Sequence, residues 1–148
     1  MSATAWRVRI PADITRVAEV RSLVRTAVDA IDPMADVACQ DDLVQAVDEA
    51  ATNTILHGYS GAPGWLEVAI ECSDDRLVVT VEDEAPPFDP TSVPEPDLAV
   101  PPEARVPGGM GIHLIREATD EIRHSSRPGG GNILTMTRRL DRRPKEER

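Results

Sequence analysis

Eight of the thirteen prolines in this 148-residue chain fall between residues 84 and 110. Proline lacks a backbone N–H and has a fixed φ, so neither a sheet ladder nor a helix runs through such a stretch. No period of 2 or 3.6 survives there, and the sequence predicts a loop of 27 residues. A loop that long in a compact domain is an active-site lid or a disordered linker. A linker needs a second domain beyond it, and only 38 residues follow. The lid is the preferred reading, within a single domain over residues 1–148 that ends in a basic tail from about 138 to 148.

On either side of the loop the periodicity is clear. WRVRI at 6–10 alternates Trp6, Val8 and Ile10 against Arg7 and Arg9, as a strand does. Asp13 caps a predicted helix with Ile14, Val17, Val20, Val24 and Val28 on one face, and IDP at 31–33 stops it. A second helix is predicted from Asp41 or Asp42 to about His57, ended by Gly58. Strands at 65–72 and 76–83 form a hairpin around a short turn. After the loop come a short helix at 111–120 and strands near 121–126 and 132–140, joined by the turn RPGGG. Strands grouped in hairpins rather than βαβ units imply an α/β sandwich: a mixed, largely antiparallel sheet with three helices on one face.

Composition narrows the function. The chain has one Phe, one Tyr and two Trp, so a base-stacking platform for nucleic acid is disfavoured. A net charge of −10 repels phosphate backbones, and no direct nucleic-acid partner is expected. Without a signal peptide or a long apolar run, no membrane association is expected and the chain is placed in the cytoplasm. Cys39 and Cys72 match no metal spacing and read as buried small hydrophobes.

Three segments carry chemistry. Glu49, Asn53 and His57 sit four residues apart, so one edge of the second helix presents a carboxylate, an amide and an imidazole. VEDEAPPFDP at 81–90 ends a strand on acids where the loop begins. PGGMG at 107–111 runs glycines into the amino end of a helix, where free N–H groups and the dipole favour an anion.

These segments, in this order, resemble the GHKL ATPase superfamily, the Bergerat ATP-binding fold shared by gyrase and histidine kinases. Within it the chain is similar to the small anti-sigma-factor serine/threonine kinases of bacteria. AVDEAATNTILHGY matches the family's N box, with His57 and Tyr59 fitting this subfamily, while VEDEAPPFDP and PGGMGIHLIREATDEI look like its two glycine boxes. The resemblance covers about residues 8–140. It implies Asn53 as the Mg²⁺ ligand, Glu49 as the catalytic base and Asp83 as the adenine reader. Gly108, Gly109 and Gly111 are implied to cradle phosphates, with His57, Ala85 and Met110 also at the nucleotide. It further implies ATP and Mg²⁺ as cofactors, a sigma factor and an anti-anti-sigma (STAS-type) protein substrate as partners, and a homodimer.

Two positions depart from the family. Its first glycine box has Gly where Ala85 stands, and a residue needing positive φ there would be strained. Its late Gly-Thr pair appears as Gly131-Asn132, and GGG at 129–131 reads as a plain hairpin turn or as a phosphate contact. These departures keep open a second reading, a nucleotide-responsive partner switch with little or no kinase activity. A histidine-kinase catalytic domain lacks its upstream phosphoacceptor hairpin here. A metal hydrolase on His57, His113 and His124 lacks ligand spacing.

Overall fold

Alternating stretches become strands and 3.6-period stretches become helices in the computed structural model, which describes residues 2–101, 103 and 109–140. Strands β1 (Ser2–Pro11), β2 (Trp65–Ser73), β3 (Arg76–Asp83), β4 (Glu121–Ser126) and β5 (Asn132–Arg139) form one sheet, ordered β1-β2-β3-β5-β4. Every neighbouring pair is antiparallel, so the sheet expected to be mixed and largely antiparallel is antiparallel at each described ladder. β3 and β4 run the same way, but β5 lies between them.

Helices α1 (Val17–Ile31), α2 (Val37–Asn53) and α3 (Gly109–Ala118) form the second layer of the sandwich. Burial along β2 and β3 alternates with period 2, and Leu66, Val68, Ile70, Leu77, Val79 and Val81 turn toward the helices. They meet Val20, Val24 and Val28 of α1, Leu43 and Val47 of α2, and Ile112 and Ile115 of α3 in one aliphatic core. Each such side chain contributes roughly 1.5–3 kcal/mol by leaving water. Truncating a fully buried one such as Leu43 to Ala costs about 2–5 kcal/mol. Cys39 and Cys72 are both buried.

The helix boundaries shift from the sequence expectation for local reasons. Asp13 does cap a helical start, accepting from Thr15 N at 3.0 Å, but the first turn, Ile14–Arg16, is 3₁₀. The second helix begins at Val37, capped by Asp36, rather than at Asp41 or Asp42. Those two aspartates serve its sides instead, pairing with Arg25 at 2.8 Å and Arg138 at 3.0 Å. α3 ends at Ala118 because Asp120 is drawn to β5, its N–H donating to Thr137 O and its carboxylate accepting from Arg139 N.

The proline-rich loop is not featureless. Asp89 caps a 3₁₀ turn at Pro90–Ser92, and Pro90 is buried. Arg116 of α3 donates to Thr91 O at 3.0 Å, tying that turn to the helix layer. Residues 102 and 104–108, and 141–148 of the expected basic tail, lie outside the described residues.

Candidate functional site

α2 ends in a distortion that makes the site. After Asn53 the chain takes one π turn, Thr54–Gly58, closed by Tyr59 N donating to Thr54 O at 2.8 Å. Five-residue hydrogen bonding rotates later side chains off the α-helical column, and such turns recur at functional sites. Glu49 and Asn53 remain one α-helical turn apart, whereas His57 falls within the π turn, exposed but still at the cavity described below. Thr54, at the start of the π turn, donates to Asp83 Oδ2 at 3.3 Å.

A cavity of about 390 Å³ lies between the end of α2, the end of β3, the loop to Val93, α3 and the β4–β5 hairpin. Ala50, Ile112, Ile115, Leu134, Val93 and Pro90 supply its apolar walls. Its polar groups come from Asn53, Thr54, His57, Asp83, His124 and Asn132. A few polar groups placed in an apolar cleft are what a small-molecule site needs.

At one end sits Asp83, 5% exposed. Its Oδ1 accepts from Ala85 N at 2.9 Å and from Asn132 Nδ2 at 2.9 Å, which leaves Oδ2 with the Thr54 hydroxyl. The Asn132 amide is satisfied on every side: Nδ2 also donates to Ala85 O and Pro86 O, while Oδ1 accepts from Phe88 N at 2.9 Å. His124 Nε2 lies 2.7 Å from that same Oδ1, so Nε2 is the nitrogen that carries the hydrogen. Asn132 thus holds the adjoining loop and the Asp83 carboxylate in one grip.

The two departures therefore resolve. Ala85 has no positive φ; among the described residues only Ser60 and Asp74 do so without being glycine. Its methyl is buried, and a Cβ on Gly58 would stand 3.1 Å from it, so the π turn leaves little room there. Gly131 has φ +119, and a Cβ on it would fall 2.0 Å from Asp83 O. Of the two readings of GGG, the hairpin turn holds, with its last glycine required by close contact with β3. Gly129 and Gly130 face open space.

At the other end, Gly111 packs against the polar edge of α2. A Cβ there would lie 3.1 Å from Glu49 Oε2 and 3.3 Å from Asn53 Oδ1. The first turn of α3, whose N–H groups have no partner within the helix, is thereby set beside the carboxylate and the amide. Gly109 and Met110 begin that helix, and Met110 does not line the cavity; Gly108 lies outside the described residues. Glu49 does not line the cavity either but stands at its edge beside Asn53. Burial pushes the Glu49 carboxyl up from its ordinary range, and the neighbouring Asp48 charge adds to the rise.

Asn53 offers a hard oxygen suited to Mg²⁺, which takes one or two protein ligands and completes its shell with water and phosphate. No cluster of three His, Cys, Asp or Glu that could hold a metal ion exists among the described residues. The three histidines do not converge: His113 lies between Glu95 and Glu117 rather than at the cavity. No helix among the described residues is long and apolar enough to cross a membrane.

The model of the histidine kinase-like ATPase domain family matches residues 10–138. An anti-sigma F factor of Oceanobacillus iheyensis is 33% identical over 125 residues, spanning 82% of this chain and 83% of the relative. The serine-protein kinase RsbW of Bacillus cereus is 29% identical over 108 residues, 69% of this chain and 65% of that protein. Among solved structures, the RsbU and RsbW domains of a Mycobacterium tuberculosis protein superpose with a TM-score of 0.68 at 22% identity. That match covers 98% of this chain and 35% of the other, and it bears on the fold alone.

Proposed function

Because this chain belongs to the histidine kinase-like ATPase domain family, we propose that it is an ATP- and Mg²⁺-dependent protein serine/threonine kinase that acts as an anti-sigma factor. Its protein substrate would be a serine on a STAS-type anti-anti-sigma antagonist, in a cytoplasmic partner-switching module whose kinase is a homodimer. Relatives named anti-sigma F factor and serine-protein kinase RsbW support this assignment. The observation that carries it is the pairing of Glu49 and Asn53 against Gly111, at the edge of a cavity closed at its far end by Asp83.

In this reading Asp83 Oδ2 accepts from the exocyclic amine of adenine, and the apolar walls hold the ring. Asn53 Oδ1 would hold Mg²⁺, which supplies charge neutralisation for the phosphates. The first turn of α3 offers N–H groups to them, and Gly111 lets them approach. Glu49 takes the proton of the substrate hydroxyl as its oxygen bonds the γ-phosphorus and the bond to ADP breaks. A base whose carboxyl is pushed up by burial sits nearer the working pH, where proton transfer is most effective. Everything else is positioning and charge neutralisation.

The binding-only reading drew on Ala85 and Asn132. Neither now argues for it, since Ala85 is unstrained and Asn132 serves Asp83. The test is transfer of label from γ-labelled ATP, with Mg²⁺, to a serine of a STAS-type antagonist. Nucleotide binding without transfer to any antagonist would favour the partner switch. Absence of ATP binding would refute both.

A further inference from the structure

β3 leaves the sheet one residue before β2 does. Their ladder ends at Leu66↔Asp83, although β2 continues to pair with β1 through Trp65↔Pro11. The next rung would join Glu84 N to Trp65 O. Instead the Tyr59 hydroxyl stands between them, accepting from Glu84 N at 2.8 Å and donating to Trp65 O at 2.6 Å. Tyr59 therefore spreads the hairpin by one phenol oxygen where the chain must turn away to line the cavity.

The ring is held for this purpose. A Cβ on Gly64 would fall 2.3 Å from Tyr59 Cε1, so the ring lies directly on the residue-64 backbone. Tyr59 also closes the π turn through its N–H to Thr54 O, and Thr54 in turn donates to Asp83 Oδ2. Two consecutive residues at the end of β3 are thus caught by the two ends of one π turn: Thr54 holds the Asp83 carboxylate, and Tyr59 holds the Glu84 amide. Tyr59 itself is not among the residues lining the cavity.

Resting on the ATP-binding reading above, we infer that Tyr59 is a positioning residue for the base-reading carboxylate: its hydroxyl sets the exit of the chain after β3, and so the placement of Asp83 and the Ala85–Phe88 wall. A phenylalanine keeps the ring on Gly64 but lets Glu84 N and Trp65 O close on each other or bind water. Asp83 then shifts while Asn53 and Glu49, on the other side of the cavity, stay in place.

Tyr59 is the chain's single tyrosine, so biosynthetic 3-fluorotyrosine labels this position alone. The ¹⁹F resonance should move on adding ADP. Tyr59→Phe should raise the Kd and KM for ATP about tenfold, the effect of about 1.4 kcal/mol of misplacement, and narrow the preference for ATP over GTP. Turnover at saturating ATP should hold within about twofold. A folded Tyr59→Phe protein with wild-type affinity and discrimination, changed only in thermal stability, would make Tyr59 a purely structural residue and overturn the inference. If that variant does not fold, a ¹⁹F signal indifferent to nucleotide overturns it equally. Wild-type protein that binds no adenine nucleotide would refute the kinase reading and this inference with it, before any variant is made.

Discussion

Asn132→Asp exchanges one NH₂ group for an oxygen of the same size and sets two carboxylates against each other. In the wild-type protein Asn132 Nδ2 donates to Asp83 Oδ1 across 2.9 Å, and both residues are buried. Two full charges at that separation repel by about 6 kcal/mol at an effective dielectric of 20. The alternative is for the pair to share a proton, which restores a donor between the oxygens. Taking up that proton at pH 7 costs about 4 kcal/mol, given an unfolded carboxyl pKa of about 3.9 and 1.36 kcal/mol per pH unit. The proton is the cheaper route at neutral pH. One hydroxyl cannot replace the bonds from Nδ2 to both Ala85 O and Pro86 O, which adds about 1 kcal/mol. The shared proton is bound more tightly folded than unfolded, so its penalty is absent below the unfolded pKa and grows with pH. The loss relative to wild type should be about 3 kcal/mol at pH 5.5 and about 6 kcal/mol at pH 7.5. Asn132→Ala loses the charge-assisted bond without adding a charge and should cost about 3 kcal/mol at either pH. Urea unfolding of the three proteins at both values measures this. An Asn132→Asp penalty that stays constant across the range would show that Asn132 does not hold the Asp83 carboxylate as described.

The remaining predictions concern the turn and the polar edge. Gly131→Ala should destabilise by more than about 3 kcal/mol, since its Cβ would overlap Asp83 O at 2.0 Å; Gly129→Ala, in open space at φ +89, should cost only about 1 kcal/mol, and thermal melts compare them. Glu49→Gln should leave ATP binding intact and slow phosphoryl transfer by roughly 10²–10⁴, read by label incorporation. The same change should raise thermal stability at neutral pH, because burial disfavours the Glu49 carboxylate; this gain should fade as the pH falls toward the ordinary glutamate range, where the wild-type group is protonated anyway. Asn53→Ala should abolish the Mg²⁺ dependence of nucleotide affinity while the melting transition holds, and calorimetry with and without metal would expose a misassigned ligand if wild type shows no such dependence.

Periodicity was enough to read the strands, the helices and the hairpin grouping, because each reflects a choice made within a few residues. Alternation in WLEVAIEC and RLVVTVED can bury only one face. The spacing of Glu49 and Asn53 likewise placed them on one helical edge, as they are. What the chain alone could not decide were contacts between segments far apart in sequence. The π turn breaks the four-residue spacing from Asn53 to His57, which no local propensity in TILHG announces, and only the approach of β3 gives Thr54 its partner in Asp83. Asn132 stood as a departure from a family pattern until the sheet order brought β5 beside β3 and laid its amide on Asp83, 49 residues away. Gly131 looked like any hairpin glycine, yet only the packing of that turn on Asp83 O makes it indispensable. Tyr59 acquires its place between Glu84 and Trp65 only once β2 and β3 pair in register. Local periodicity sets the elements because it is written in neighbouring residues. The site is set by long-range register, and a one-residue slip there would change every partner while leaving the pattern almost as convincing.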